Sequence, residues 1–259
     1  MHGLRALAGA QSSLPKTSTT LLAGGPVEYV RAGDGKPAVV LIAGFGMPIE
    51  GWALVLPQLA QISTVLAYNR RGCGASAEPQ QSQTGAVVVD TLRELLDAAA
   101  VVPPYVLVGH GLGGLHANLL ARRFPHEVAG VVLLEPVHPD DDFDERRLRF
   151  LPRSYRPGAS RRGTRRHHEL HFLAETAREI EQAGPFPDVP LTVVSGSRTP
   201  PRLTTSPQQA SRHAARQRQL VALSARGTHV FAPATGQFPQ VTDPEIVVGA
   251  VREVVAGVR

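Results

Sequence analysis

The sequence predicts an α/β fold, with a mostly parallel central sheet covered by helices on both faces. Two observations carry this prediction. Short apolar runs alternate with segments of helical periodicity from residue 27 to the end of the 259-residue chain. These runs are apolar throughout rather than at every second position, which is typical of strands buried on both faces of a parallel sheet.

The individual elements follow from local patterns. Predicted strands cover residues 27–33, 37–44, 63–69, 104–110, 128–136, 190–197 and 219–225. Helical spacing predicts helices over 51–61, 84–100, 112–124, 206–218 and 244–256. A turn around Gly33 and Gly35 separates the first two strands, and Pro125 ends the helix of 112–124.

A segment of different composition interrupts this alternation between residues 139 and 188. It is charged, rich in arginine and broken by prolines, and only its last part has the spacing of an amphipathic helix. We therefore predict a core formed by residues 25–138 and 189–259, a lid over 139–188 and a loose N-terminal arm over 1–24.

Composition narrows the classes of function. The net charge is +5 and nearly all positive charges are arginines, but no basic run alternates with aromatic residues, so nucleic-acid binding is not expected. Cys73 is the only cysteine, which excludes an internal disulfide, and we interpret it as a passive loop residue. No apolar run approaches the roughly 20 residues that span a membrane. The first residues lack the apolar core of a signal peptide, so we expect a cytoplasmic protein.

The stretch VGHGLGG (108–114) joins a predicted strand to a predicted helix through a tight turn. It resembles the G-x-S-x-G nucleophile elbow of the α/β-hydrolase family, and the resemblance covers roughly residues 27 to 256. The family pattern places serine at position 111, where this chain has Gly111. The letters also match the G-x-G-x-x-G loop of dinucleotide-binding proteins, but no acidic ribose ligand follows at a strand end with the required spacing.

The resemblance implies the other parts of an acyl-transfer site. The backbone N–H groups of Phe45, in the AGFG turn, and of Leu112 would form the oxyanion hole. His229 would be the general base, in the loop after the last strand. Glu135, at the end of an apolar strand, would be the acid that orients His229. Alternative acids at the start of the lid are Asp140, Asp141 and Asp142.

No cofactor or metal is expected, and the partner would be a small-molecule substrate. The spacing of His167, His168 and His171 differs from the H-E-x-x-H of zinc proteases, so we interpret these histidines as part of a solvated lid helix. The predicted substrate site is an apolar pocket between lid and sheet edge, close to Phe45, Trp52 and Phe143. The arginines of the lid either favour an anionic substrate or form a solvated surface.

Two hypotheses account for Gly111. In the first, the chain is a serine ester hydrolase whose nucleophile has been replaced, so that it binds substrate without acyl transfer. In the second, the protein is natively free of a nucleophile, and it is a small-molecule binder or a cofactor-independent lyase or cyclase with His229 as base. The expected pair of Glu135 with His229 favours the first hypothesis, because a simple binder has little use for it.

Overall fold

A computed structural model describes residues 14–141, 167–196 and 206–258 of the chain. Its centre is an eight-stranded sheet. The strands are β1 (Ser18–Leu22), β2 (Gly25–Ala32), β3 (Ala38–Ile42), β4 (Val65–Tyr68), β5 (Tyr105–His110), β6 (Val128–Leu134), β7 (Leu191–Gly196) and β8 (Gly227–Ala232).

The strands are arranged in the order β1-β2-β4-β3-β5-β6-β7-β8. The pairs β1–β2 and β2–β4 are antiparallel, whereas all pairs from β4 to β8 are parallel. The carboxyl ends of six parallel strands therefore lie along one edge of the sheet, which is where ligands bind in open α/β sheets. This confirms the predicted fold class.

Seven α-helices are found in the described residues. They are α1 (Leu56–Leu59), α2 (Gly85–Ala98), α3 (Gly113–Arg123), α4 (Leu173–Gln182), α5 (Pro207–Val221), α6 (Pro239–Thr242) and α7 (Pro244–Ala256). A short 3-10 helix, Ile49–Trp52, precedes α1, and another, Glu169–Phe172, precedes α4.

The sheet separates two apolar clusters. One contains Leu92 of α2, Leu119 of α3 and Leu107 of β5, and the other contains Leu56 of α1 and Val251 of α7. The middle strands contribute alternate residues to the two clusters, as expected for strands buried on both faces.

Three sequence predictions differ from the structure. Residues 18–22 of the predicted N-terminal arm form β1, which pairs with β2 at the sheet edge. The predicted helix over 51–61 is replaced by a 3-10 turn and the single turn of α1. The predicted strand over 219–225 belongs to the end of α5 and the following turn, and the last strand is Gly227–Ala232. A short apolar run does not distinguish a buried strand from the buried face of a helix end.

Candidate active site

The turn between β5 and α3 has the geometry of a nucleophile elbow. Gly111 has φ +53°, a backbone conformation that side chains rarely adopt. Its N–H donates to the carbonyl of Leu134 at 3.0 Å, and its own carbonyl accepts from Gly114 at 3.0 Å and from Val137 at 3.1 Å. The apex of the turn is thus held from both sides.

The space above Gly111 is sufficient for a side chain. A Cβ atom built there would meet only the Cα of Gly44, at 3.7 Å, which is an ordinary van der Waals distance. The neighbouring glycines differ, because a Cβ on Gly109 would lie 2.7 Å from the carbonyl oxygen of Gly113. The turn therefore has steric room for the serine that the sequence lacks.

Phe45 and Leu112 flank this space. Phe45 follows β3 and is partly exposed, and Leu112 begins the turn into α3. Among the described residues, neither backbone N–H forms a hydrogen bond. Within the described residues both donors are therefore available to an acceptor atom, and their role as an oxyanion hole stays a prediction.

His229 lies within β8 rather than in the loop after it. Sheet register places Val230 level with His110, three strands away, which is about 14 Å at the usual strand spacing. The His229 ring is hydrogen-bonded to the hydroxyl of Ser195 at 3.0 Å, and that hydroxyl donates to Gln217 of α5. Partial burial and the nearby charge of Arg218 lower the pKa of the ring. The side chain is therefore oriented toward α5, at a distance from the elbow that it cannot span.

The loop after β8 brings Gln237 to the elbow instead. The carbonyl oxygen of Gln237 lies 2.8 Å from Nε2 of His110, the residue that immediately precedes Gly111. Residues 233–238 contain no histidine. His110 is itself buried, and burial lowers its pKa to about 4. The base was expected in the wrong segment because the predicted last strand, 219–225, ends seven residues before the end of the observed strand, Gly227–Ala232.

Glu135 is held at the end of β6 but does not contact His229. It has φ +43°, and its N–H donates to the carbonyl of Val194 at 2.9 Å. Its carboxylate accepts from the N–H of Gly196 and lies 3.3 Å from Nε2 of His213, on α5. The predicted Glu135–His229 hydrogen bond is therefore not formed, because His213 occupies the position of the partner.

The two alternative acids that the structure describes form ion pairs with other residues than His229. Asp141 pairs with Arg216 of α5 and also accepts from the N–H of His138 at 2.8 Å. The carboxylate of Asp140 is largely exposed and lies 3.6 Å from His138. Asp142 lies outside the described residues. Both described aspartates therefore hold the segment after β6 against α5.

Comparisons with known proteins decide the family. The model of the alpha/beta hydrolase fold family matches residues 37–208, which is about two thirds of the chain and includes β3, the elbow and α4. The chain belongs to the alpha/beta hydrolase fold family.

Relatives in this family match the chain only in part or share only its fold. The uncharacterized protein YqjL of Bacillus subtilis (strain 168) is 33% identical over 110 residues, which is 42% of this chain and 44% of YqjL. The chain thus spans less than half of that relative. A loop variant of the haloalkane dehalogenase DbeA from Bradyrhizobium elkanii has a TM-score of 0.71 at 18% identity, and the match covers 94% of this chain and 97% of that one. A thermophilic esterase from Thermogutta terrifontis has a TM-score of 0.67 at 18% identity, covering 94% and 99%.

In this member of the alpha/beta hydrolase fold family, the predicted aromatic pocket is not formed as expected. Trp52 is fully buried and packs edge-on against His110, with 6.4 Å between ring centroids, so it lies beneath the elbow and cannot contact a substrate. Phe143 lies outside the described residues. Phe45 does line a cavity, where its ring contacts His168 edge-on at 6.2 Å.

That cavity lies beside the AGFG turn (43–46), which we call the oxyanion turn after its predicted role, and has a volume of about 30 Å³. Its wall includes Phe45, Arg70, Cys73, Gln83 and Glu169. It is large enough for one or two water molecules. Burial raises the pKa of the Cys73 thiol to about 11, so the thiolate is scarce at neutral pH, consistent with its interpretation as a passive residue.

An ion pair at this cavity, Arg70 with Glu169, was not predicted from the sequence. Arg70 donates from Nε and Nη2 to the two carboxylate oxygens of Glu169 at 3.0 and 2.8 Å. It also donates to the carbonyls of Ala43 at 2.5 Å and Gly44 at 3.0 Å, in the oxyanion turn. Burial alone would raise the pKa of the Glu169 carboxyl, but the charge of Arg70, the nearby histidines and the Arg70 hydrogen bonds together more than offset burial, and the pKa is lowered. No local pattern links two residues so far apart in the sequence.

The described residues offer neither a metal-binding cluster nor a helix that could cross a membrane. Within residues 14–141, 167–196 and 206–258, no group of three or more histidine, cysteine or acidic side chains is arranged to hold a metal ion. In the same part of the chain, none of the helices combines the length and the apolarity that crossing a membrane requires.

Proposed function

We propose that this family member binds a small molecule at the elbow and does not carry out acyl transfer. The observation that supports this most is that the elbow has no nucleophile at its apex and that the loop after β8, residues 233–238, contains no histidine. The apex of the elbow is Gly111, and the loop that returns to it from β8 carries Gln237. An acyl-transfer site needs a nucleophile and a base within hydrogen-bonding reach of each other.

The rest of the site is suited to binding. The N–H groups of Phe45 and Leu112 are free, and the space above Gly111 is open. The helix α3 begins at this point, and the N-terminus of a helix favours negative charge on a ligand. A ligand oxygen would therefore be held by donors that, in an enzyme, would stabilise a developing charge.

The hypothesis of an inactivated ester hydrolase remains the second candidate. It is favoured by the retained elbow, whose positive φ and free space at Gly111 would accept a serine. Its main support, however, was a pair formed by Glu135 and His229, and Glu135 contacts His213 instead. A lyase or cyclase that uses His229 as base is disfavoured by the position of that residue in β8.

The experiment compares Gly111→Ser, Gln237→His and the double variant in hydrolysis of short aryl esters. We expect Gly111→Ser to be as inactive as the original protein, because the predicted base, His229, lies three strands away from the new hydroxyl. Only the double variant is expected to gain measurable turnover. Gly111→Ala is the matched control, since it adds the Cβ without the hydroxyl.

Activity of Gly111→Ser alone would contradict the proposal and would establish the inactivated hydrolase, since loss of one member of a triad costs up to roughly a millionfold. Binding is tested separately, by the shift of Tm with a panel of small acids and esters. A ligand that binds the folded state raises stability by RT ln(1 + [L]/Kd). Mass spectrometry of the bound compound should show it unchanged.

A further inference from the structure

A buried polar cluster lies next to the elbow, on the β4 side of the oxyanion turn. We call Tyr68, Arg70, His116 and Glu169 the Arg70 cluster. The side chains of Arg70 and Glu169 are only 9% and 10% exposed. His116, on α3, lies 3.8 Å from the Glu169 carboxylate through Nε2. The Arg70 cluster contains no residue of the predicted catalytic set.

Stability alone does not account for this cluster. Taking a guanidinium and a carboxylate out of water carries a desolvation cost, and an apolar pair of similar volume is often no less stable. In addition, the hydroxyl of Tyr68 and Nδ1 of His116 are buried without a hydrogen-bond partner among the described residues. Unpaired buried polar atoms are rare in folded proteins and require a specific reason.

Space adjoins Tyr68, one of the two unpaired groups, and the Arg70–Glu169 pair. Arg70 and Glu169 line the cavity of about 30 Å³ beside Phe45. A second cavity of about 10 Å³ is lined by Tyr68, Arg70 and Gln83. The two cavities share Arg70 and Gln83. Each has room only for water as it stands, but displacement of the Glu169 side chain would add its volume to theirs, so a ligand carboxylate could reach the guanidinium. Burial raises the pKa of Tyr68, which keeps its hydroxyl protonated and able to donate.

The position of Arg70 is fixed independently of Glu169. Its donors to the carbonyls of Ala43 and Gly44 hold the guanidinium against the oxyanion turn. The remaining edge, with Nε and Nη2, presents two parallel N–H groups, which is the arrangement that matches a carboxylate. This edge is occupied by a carboxylate of the protein itself.

We propose that Arg70 is the recognition site for the carboxylate of the small molecule that this protein binds, and that Glu169 occupies the site until that ligand replaces it. The inference rests on the proposed function, because it specifies the chemical class of its ligand. The exchange replaces one carboxylate by another on the same two N–H groups. It breaks no covalent bond and leaves the contacts of Arg70 with the oxyanion turn in place.

The test measures carboxylate binding to Glu169→Ala and Glu169→Gln, with acetate and benzoate as probes and with acetamide and benzamide as their uncharged analogues. Sodium chloride keeps the ionic strength constant. The chain offers a matched control in Glu127→Ala. Glu127 forms the same two-point contact with Arg93, at 3.1 and 2.6 Å, but on the surface and away from either cavity. Calorimetry gives Kd, and the NMR signal of Arg70 Nε–H reports the site.

We expect acetate to bind Glu169→Ala at least about tenfold more tightly than the original protein. In the original protein Glu169 competes for Arg70, and the apparent affinity for acetate is reduced in proportion to the fraction of molecules in which Arg70 is free. Glu127→Ala should bind like the original protein, and Arg70→Met in the Glu169→Ala background should abolish the gain. At about 100 times the Kd of the variant, acetate should shift the Arg70 Nε–H signal of the original protein as well.

Three results would overturn the inference and leave a structural ion pair only. These are equal acetate affinities of Glu169→Ala and Glu127→Ala, equal binding of acetate and acetamide, and an unchanged Arg70 signal in the original protein. If Glu169→Ala does not fold, acetate affinity is measured on Glu169→Gln instead. The yield of soluble Glu169→Ala is then compared with and without acetate, and a yield that acetate does not raise would also overturn the inference. These readouts concern binding, so turnover by Gly111→Ser would contradict the proposed function without affecting them.

Discussion

At the scale of single residues, the glycines of the elbow serve different purposes. Gly111 has an unusual φ and open space above it, so its lack of a side chain leaves room for a ligand or a nucleophile. Gly113 has no such space, because a Cβ there would clash with the backbone carbonyls of Ile42, at the end of β3, and of Ala43, which follows it. Gly113 is therefore required for packing α3 against the sheet, whereas Gly111 is not.

We predict that Gly113→Ala lowers the free energy of unfolding by about 3 kcal/mol, because the obstructing atoms are backbone and cannot turn away. Gly249→Ala is the control, since Gly249 is also in a helix, α7, and a Cβ there meets nothing within 4 Å. It should raise the free energy of unfolding by up to about 1 kcal/mol. Urea unfolding measures both, and equal effects would refute the packing argument.

At the scale of elements, α4 is attached to the core through the N-terminus of α2. The N–H of Gly85 donates to the Thr176 hydroxyl, and the N–H of Ala86 donates to the Glu179 carboxylate, both at 2.8 Å. These side chains satisfy N–H groups that a helix start leaves unpaired, and the carboxylate also interacts favourably with the helix dipole. The helix in the last part of the predicted lid, α4, is therefore held by α2, a helix of the core.

Glu179→Ala should destabilise the protein by about 1 kcal/mol, the usual cost of losing a helix cap. Hydrogen exchange at the amide of Ala86 should accelerate, because the N–H loses its acceptor. The exposed Glu181→Ala on the same helix is the matched control and should change neither quantity. Equal stability and equal exchange in the two variants would show that α4 is held by apolar contacts alone.

At the scale of the whole molecule, buried histidines couple stability to pH. Burial lowers the pKa of His110 and of His116 to about 4, from an ordinary value of 6.5. Between these two pH values the unfolded chain binds a proton at each site and the folded protein does not. Acidification therefore stabilises the unfolded state, and the free energy of unfolding falls as pH decreases from 6.5 toward 4.

Each histidine should contribute up to roughly 3 kcal/mol to this loss. His116→Gln should therefore reduce the decrease in stability between pH 7 and pH 4, measured by urea unfolding at each pH. His126→Gln, at an exposed position after α3, is the control and should leave the profile unchanged. Identical profiles for the two variants would mean that His116 titrates normally in the folded protein.

The sequence by itself determined the α/β class, most of the sheet and the elbow with Gly111. These features are encoded locally, in apolar periodicity and in glycines at fixed spacing. Local patterns could not distinguish the buried end of α5 from a strand. That ambiguity moved the expected loop and made His229 the candidate base, whereas the loop that reaches the elbow, through the backbone carbonyl of Gln237, contains no histidine.

Only the tertiary structure decided which side chains meet. Glu135 contacts His213, and Arg70 contacts Glu169 across 99 positions of the chain. Such pairs depend on strand order, on register and on the direction in which each side chain leaves its element, and none of these has a signature in a short window of sequence. The local sequence therefore specified the elbow, and long-range packing specified the charged groups that surround it.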